Sequence, residues 1–217
     1  MKTPLVSICI PTYNQTKYLR KVLDSVFEQT FTDYEVIVSD DSTTPDVKEL
    51  LDEYIANGTV IRYFHHSPAL GSPENWNFAM QKAQGEYIKI MHHDDWFVTN
   101  TSLQEFVTLV RENNADFVFS GTNIETPLGR TRTHSINYSN FTNITQNPET
   151  LLLGNIIGAP SAIMFKNNKM LFDVNLIWLV DLEFYYRYIT KHKNINYTPQ
   201  TLIVTFDDNT RITNLCV

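Results

Sequence analysis

The sequence predicts an α/β fold, a doubly wound and mostly parallel sheet flanked by helices. Three observations carry that expectation. Short apolar runs recur five times in the first 120 residues, as strands buried on both faces of a parallel sheet do. Stretches with apolar residues at three- and four-residue spacing separate the runs, and parallel strands require such crossover helices. Polar turn clusters follow the first, second and fourth runs, at the ends where an open sheet binds its ligands.

In chain order, residues 5–10 form the first run, and Tyr18, Leu19, Val22, Leu23, Val26 and Phe27 form a helical stripe after it. Residues 34–39 read as the second strand. Val47, Leu50, Leu51 and Tyr54 then mark a helix that Gly58 would end. Residues 60–64 are the third strand, and Trp76, Ala79, Met80 and Ala83 a helix closed by Gly85 before the strand at 87–91. Thr101 and Gln104 are spaced as a capping box for a helix burying Leu103, Phe106, Val107 and Val110, and residues 116–120 are the fifth strand.

Beyond residue 121 the alternation is lost. The Thr- and Asn-rich stretch 122–147 reads as a hairpin or long loop over one end of the sheet. A short helix is expected at 148–153, with Pro148 in the favoured first turn, and a Gly-Ala-Pro-Ser turn leads into an apolar strand. A helix carrying Asp181 near its start and two closing strands at 195–197 and 202–206 complete the chain. The 217 residues are expected to fold as one domain, 1–217, with halves 1–120 and 121–217.

A net charge of -7 argues against a general affinity for nucleic-acid phosphates. Cys9 and Cys216 have neither metal-ligand nor redox spacing, which fits a reducing compartment. No apolar stretch approaches a membrane span, and Pro11 breaks the short N-terminal run, so a cytoplasmic location is expected.

The chemistry gathers at the strand ends: Pro11, Thr12, Tyr13 and Asn14 after the first, Asp40, Asp41 and Ser42 after the second, His93, Asp94 and Asp95 after the fourth. Adjacent carboxylates repel each other and resist burial unless a cation or strong donors sit between them. Neither a dinucleotide fingerprint nor a phosphate-binding loop follows the first strand. A nucleotide could instead stack on Tyr13 and donate a ring N–H to Asp41, with a divalent ion bridging its diphosphate to a carboxylate.

Three blocks, VSICIPTYNQTKYLRKVLDSVFEQTFTDYEVIVSDDST, NWNFAMQKAQGEYIKIMHHDDW and VDLEFYYR, resemble in order and spacing the family 2 glycosyltransferases. These are inverting enzymes of the GT-A fold that use nucleotide-sugar donors. The resemblance implies a Rossmann-like, mostly parallel sheet with a smaller acceptor-side β region. It makes residues 1–120 the nucleotide-sugar half and 121–217 the half for the acceptor and catalytic base. Pro11, Thr12 and Tyr13 would hold a uracil or thymine ring, Asp41 the base N–H with Asp40 as the nearby alternative, and Asp94 the ribose or sugar. Asp95 would coordinate Mn²⁺ or Mg²⁺, and Asp181 occupies the position of the general base, with Glu183 as the other candidate carboxylate. Pro160 and Ser161 would stand on the acceptor side.

Two departures stand out. His92 replaces the first carboxylate of the family's D-x-D, and Asp208 lies roughly where relatives keep a metal-binding histidine. Relatives often continue with further helices after this point, so acceptor-binding or membrane-docking parts are expected to be absent from this sequence. The implied function is transfer of a sugar from a UDP- or dTDP-sugar to a hydroxyl of a glycan or lipid-linked saccharide, at the cytoplasmic face of a membrane if association there is peripheral. Two rivals come from other classes: a non-catalytic nucleotide-sugar or glycan-binding module, and a nucleotidyltransferase, which the missing triphosphate loop disfavours.

Overall fold

The computed structural model describes residues 3–207, so Asp208 and Cys216 lie outside the described residues. The elements run β1 (Val6–Thr12), α1 (Lys17–Phe27), β2 (Tyr34–Asp40), α2 (Asp46–Ala56), β3 (Arg62–His65), α3 (Glu74–Lys82), β4 (Tyr87–Ile90), β5 (Asp95–Phe97), α4 (Ser102–Glu112), β6 (Phe117–Glu125), β7 (Thr131–His134), α5 (Tyr138–Gln146), β8 (Ile163–Lys166), α6 (Val180–Lys191) and β9 (Ile195–Phe206). The sheet is mixed, in the order β3-β2-β1-β4-β8-β6-β9-β5, with β7 paired to β6. Strands β3, β2, β1 and β4 are mutually parallel. Strand β8 then enters antiparallel between β4 and β6, which is where the direction changes.

Alternation along the strands explains the two layers. Val6, Ile8 and Ile10 of β1 and Val36 and Val38 of β2 face a core completed by α1, α2 and α4 through Leu19, Val22, Val47, Leu51, Phe106 and Val107. Cys9, Ile37, Ile88 and Ile90 face the opposite core, completed by α3 and α6 through Ala79, Met80, Phe184, Tyr185 and Tyr188. A strand buried on both sides must be apolar throughout, which is why β1 and β2 read as unbroken runs.

Four details depart from the sequence expectation. Asp95 opens a short strand, β5, antiparallel to β9; three residues are too few for a periodicity to show. The 122–147 stretch contains the expected hairpin, but its second part is α5, started by the Asn137 side chain accepting from the Asn140 N–H. The two closing strands are one, β9, whose register against β6 slips between Ser120 and Thr122 and so passes over Pro199 and Gln200. A Cβ at Gly121 would meet the Pro199 carbonyl oxygen at 2.8 Å, so the slip needs a glycine there. No capping box forms at Thr101 and Gln104. Instead Gln29 Oε1 accepts the Leu103 N–H at 2.8 Å, while its amide donates to the carbonyls of Ser25 and Thr99.

The base of the parallel block is tied by Glu35. Its carboxylate accepts from Ser7 Oγ at 2.6 Å, from the Gln84 N–H at 2.7 Å and from Arg62. Ser7 Oγ in turn accepts from the Gly85 N–H, so close that a Cβ on residue 85 would lie 2.7 Å from the Ser7 backbone nitrogen. Burial pulls the Glu35 pKa up, but the bonds from Ser7, Gln84 and Arg62 outweigh it and hold the carboxyl below its ordinary value. A depressed pKa gives stability that is complete at neutral pH and lost as pH falls from about 4.3 through the folded value. Glu35→Ala is expected to cost about 2–3 kcal/mol in urea unfolding at pH 7, with a smaller loss at pH 4.

Candidate active site

Parallel pairing brings the ends of β1, β2 and β4 to one edge. Thr12 is level with Asp40, and Cys9 with Ile90. Backbone bonds then fasten the loops beyond: the Asp41 N–H donates to the Thr12 carbonyl at 3.0 Å, and the Tyr13 N–H to His93 Nδ1 at 3.3 Å. Asn14 holds a left-handed φ of 47°, which Asn tolerates better than most residues. Its amide clasps Thr43 and its N–H donates to Ser42 Oγ, locking the first two loops together.

Within this edge Asp40 and Asp41 differ. Both Asp40 oxygens are engaged, one by the Ser42 N–H and the other by the Tyr63 hydroxyl. Asp41 Oδ2 accepts from the Gly71 N–H, whereas its buried Oδ1 has no partner. Helix α2 begins after Pro45 without a side-chain cap, so Asp41 is not spent there. Thr12 Oγ1 is also buried without a partner. So is Asn75 Oδ1, while Asn75 Nδ2 donates to the Thr12 carbonyl at 3.3 Å. That bond fixes which end of the amide is oxygen, since the flipped amide would set oxygen against oxygen. Three unpaired oxygens on three connected residues are costly in a folded protein, and a ligand with N–H or O–H groups would satisfy them. Tyr13, next in the chain to Thr12, is 53% exposed, and Pro11 is buried. Asn75 escaped the sequence reading because its helix was recognised only by its apolar stripe.

The run ending in two carboxylates is a strand only to Ile90, followed by a turn in which the Asp95 N–H donates to the His92 carbonyl. Asp95 is 2% exposed, so this is not a solvated turn. Ligand atoms of His92, Asp94 and Asp95 all lie within 4.8 Å of one another. Two carboxylates and an imidazole form an oxygen-rich set suited to Mn²⁺, and to Mg²⁺ if water completes the shell. The His92 ring also packs on Trp76, with centroids 4.5 Å apart.

Asp181 sits in the first turn of α6, entered through Leu179 at a left-handed φ of 59°. Asn155 Nδ2 donates to Asp181 Oδ2 at 2.7 Å and also to the Gly158 carbonyl. Burial raises the Asp181 pKa, while the N–H groups of the helix start and Asn155 moderate the rise. Burial raises the pKa of the Tyr185 hydroxyl, which is bonded to the Gly158 carbonyl, and the negative charges of Asp181 and Asp95 raise it further. Asn155 is the second residue that the sequence reading missed; it stands in a loop without periodicity.

Glu183 is placed differently. Arg187 holds both its oxygens, at 2.6 and 2.7 Å, and also the Leu171 carbonyl, so Glu183 braces α6 and its carboxylate is already occupied. Pro160 and Ser161 form a buried short 3-10 turn before β8. Ser161 Oγ accepts the His92 N–H at 2.9 Å, so the turn leans directly on the end of β4.

Comparison with known proteins bears on the family and the fold. The chain is 31% identical over 114 residues to the glycosyltransferase GlyG of Streptococcus pneumoniae serotype 4, covering 52% of this chain and 38% of that protein. It is 38% identical over 96 residues to chondroitin synthase of Escherichia coli, covering 44% of this chain and 14% of that one. The chain thus spans well under half the length of either relative. Among solved structures, S. aureus TarS 1-349 in complex with UDP-GlcNAc superposes with a TM-score of 0.74 at 20% identity, covering 96% of this chain and 60% of that one. The mannosyltransferase PcManGT from Pyrobaculum calidifontis, in complex with GDP-Man and Mn²⁺, gives 0.68 at 17% identity, covering 95% and 57%. At these identities the structural likeness is one of fold. The pattern of glycosyl transferase family 2 matches residues 7–172, and the chain belongs to that family.

Proposed function

We propose that this domain transfers a sugar from a nucleoside diphosphate sugar, UDP or dTDP, to a hydroxyl of a glycan or lipid-linked saccharide, with inversion at the anomeric carbon. The observation that carries the reading is the edge formed by the ends of β1, β2 and β4, where the unpaired oxygens of Thr12, Asp41 and Asn75 accompany the close-set His92, Asp94 and Asp95. Structural neighbours in complex with UDP-GlcNAc and with GDP-Man support a nucleotide-sugar donor.

On this reading the base lies against Tyr13, its ring N–H meets Asp41 Oδ1, and the Thr12 hydroxyl donates to a ring carbonyl. Asp95, with Asp94 and His92 beside it, would hold Mn²⁺ or Mg²⁺, whose positive charge offsets that of the departing diphosphate. Asp181 takes the proton of the attacking hydroxyl. Its raised pKa makes it a stronger base than an ordinary carboxylate, and Asn155 fixes the direction of one oxygen. A base on the face opposite the leaving group gives in-line attack and inversion. Exposed Ile177, Trp178 and Leu179 run directly into the Asp181 turn, and exposed Leu152 and Leu153 run into Asn155. That apolar rim suits an acceptor carried on a lipid and peripheral association with a membrane. Among the described residues no helix is long and apolar enough to cross one.

A thermal-shift panel of UDP, dTDP and GDP with and without Mn²⁺ tests the donor side. A ligand at 100 times its Kd adds about 2.7 kcal/mol of stability, and the uridine or thymidine nucleotide with Mn²⁺ is expected to raise Tm most. Asp41→Asn should abolish that preference.

Asp181→Asn is expected to lower kcat by about 10²–10⁴-fold, leaving nucleotide binding unchanged. Equal transfer by wild type and variant would remove Asp181 from the mechanism. The ionised form is the base, so activity should fall as pH drops through a pKa above the ordinary carboxylate range. Asn155→Leu removes a donor to the charged form and is expected to shift this acid limb further upward, as read from the pH profile of kcat/KM.

A further inference from the structure

Lys89 lies within β4 and is fully buried. Its Nζ donates to the Ile90 carbonyl at 3.2 Å and to the Ser161 carbonyl, and stands 4.8 Å from the ring centre of Phe106 and 5.6 Å from that of Phe97. Burying an ammonium is expensive, and an apolar side chain of similar volume in such a core is commonly neutral or stabilising. Packing alone therefore does not account for the charge. Burial lowers the Lys89 pKa to about 7, and the negative charge of Asp95 acts in the opposite direction.

The geometry identifies what the ammonium faces. Asp95 and Phe97 alternate with Trp96 along β5 and so point to one face of that strand, the face on which Lys89 meets the Phe97 ring. The other contact is Ser161, whose Oγ receives the N–H of His92. One buried cation thus bears on both sides of the turn that carries His92, Asp94 and Asp95.

We propose that Lys89 is a positioning residue and a built-in counter-cation for this turn. It fastens Ser161 against β4 and opposes a divalent ion at Asp95, so that the ion is held firmly only together with a nucleoside diphosphate. The inference rests on the metal reading of the turn given above. A bound diphosphate adds negative charge that offsets the ammonium, beyond what the carboxylates of the turn itself contribute.

Mn²⁺ binding, followed by electron paramagnetic resonance of the free ion at pH 6.5, compares wild type with Lys89→Met, first with Mn²⁺ alone and then with UDP, dTDP and GDP in turn. Lys89→Met is expected to bind Mn²⁺ alone about tenfold more tightly, with a smaller difference once a nucleotide is present. Lys89→Gln, which keeps a donor near Ser161 but not the charge, should show the same tightening. A purely structural lysine would lower Tm and leave Mn²⁺ affinity equal or weaker, and a Kd within twofold of wild type in both variants overturns the proposal. Loss of the native circular dichroism in both variants also overturns it, since the charge would then be a folding requirement. If wild type binds Mn²⁺ with a nucleotide and only the tightening is missing, the metal reading stands and the role of Lys89 falls. If wild type binds no Mn²⁺ under any of these conditions, the metal reading fails and this inference fails with it.

Discussion

The burial of the Asp95 charge is the constraint on which the rest of the site depends. A carboxylate 2% exposed at the rim of a sheet needs compensation, and the surrounding structure supplies it in pieces. Strand β5 pairs with β9 to fix its backbone. Ser161 receives the His92 N–H, and Lys89 supplies a buried positive charge below. Each piece comes from a different part of the chain, so the turn has one geometry only when the whole domain is folded. A divalent ion would complete that compensation, and the residues around it are arranged as for a ligand that brings one.

The change of strand direction beside β4 separates two kinds of structure. On one side the parallel strands β1 and β2 end in loops whose polar groups are tied to each other through Asn14, Asp40 and Gly71, leaving acceptors on Asp41 and Asn75 and the Thr12 hydroxyl unused. On the other side antiparallel β8 is preceded by the Pro160–Ala162 turn, and α6 presents Asp181. On the proposed function, the parallel strands would carry the donor and the irregular segments the acceptor. The diphosphate demands fixed geometry, whereas acceptors vary and loops vary most easily. Tyr185 of α6 donates its hydroxyl to the Gly158 carbonyl, tying the start of α6 to the loop before β8.

Much of the fold was legible in the sequence because its signals are local. The apolar runs of β1 and β2 and the stripes of α1, α2 and α4 each announce an element and its buried face, and the polar clusters fall at the ends of β1, β2 and β4, which the parallel pairing brings to one edge. What escaped depends on distant partners. Gln29 caps α4 across 74 residues of chain, so the local pair Thr101 and Gln104 misled. Strand β5 is defined by its pairing with β9, and Pro199 inside β9 is tolerated only because the register slips at Gly121. Asn75 and Asn155 gain their meaning from what they bond, which no spacing reveals. Glu183, the alternative to Asp181, is occupied by Arg187 one helical turn on, a pairing that the spacing allows but does not prove.

The most direct measurement is the crystal structure of this domain with Mn²⁺ and the nucleoside diphosphate that stabilises it most, with the ion located by its anomalous scattering. The account predicts one Mn²⁺ within coordination distance of an Asp95 oxygen and of diphosphate oxygens, the base against Tyr13 with its ring N–H on Asp41, and Asp181 across an open space from the diphosphate. A nucleotide bound away from the ends of β1 and β2, or an ion that ignores Asp95, would contradict it.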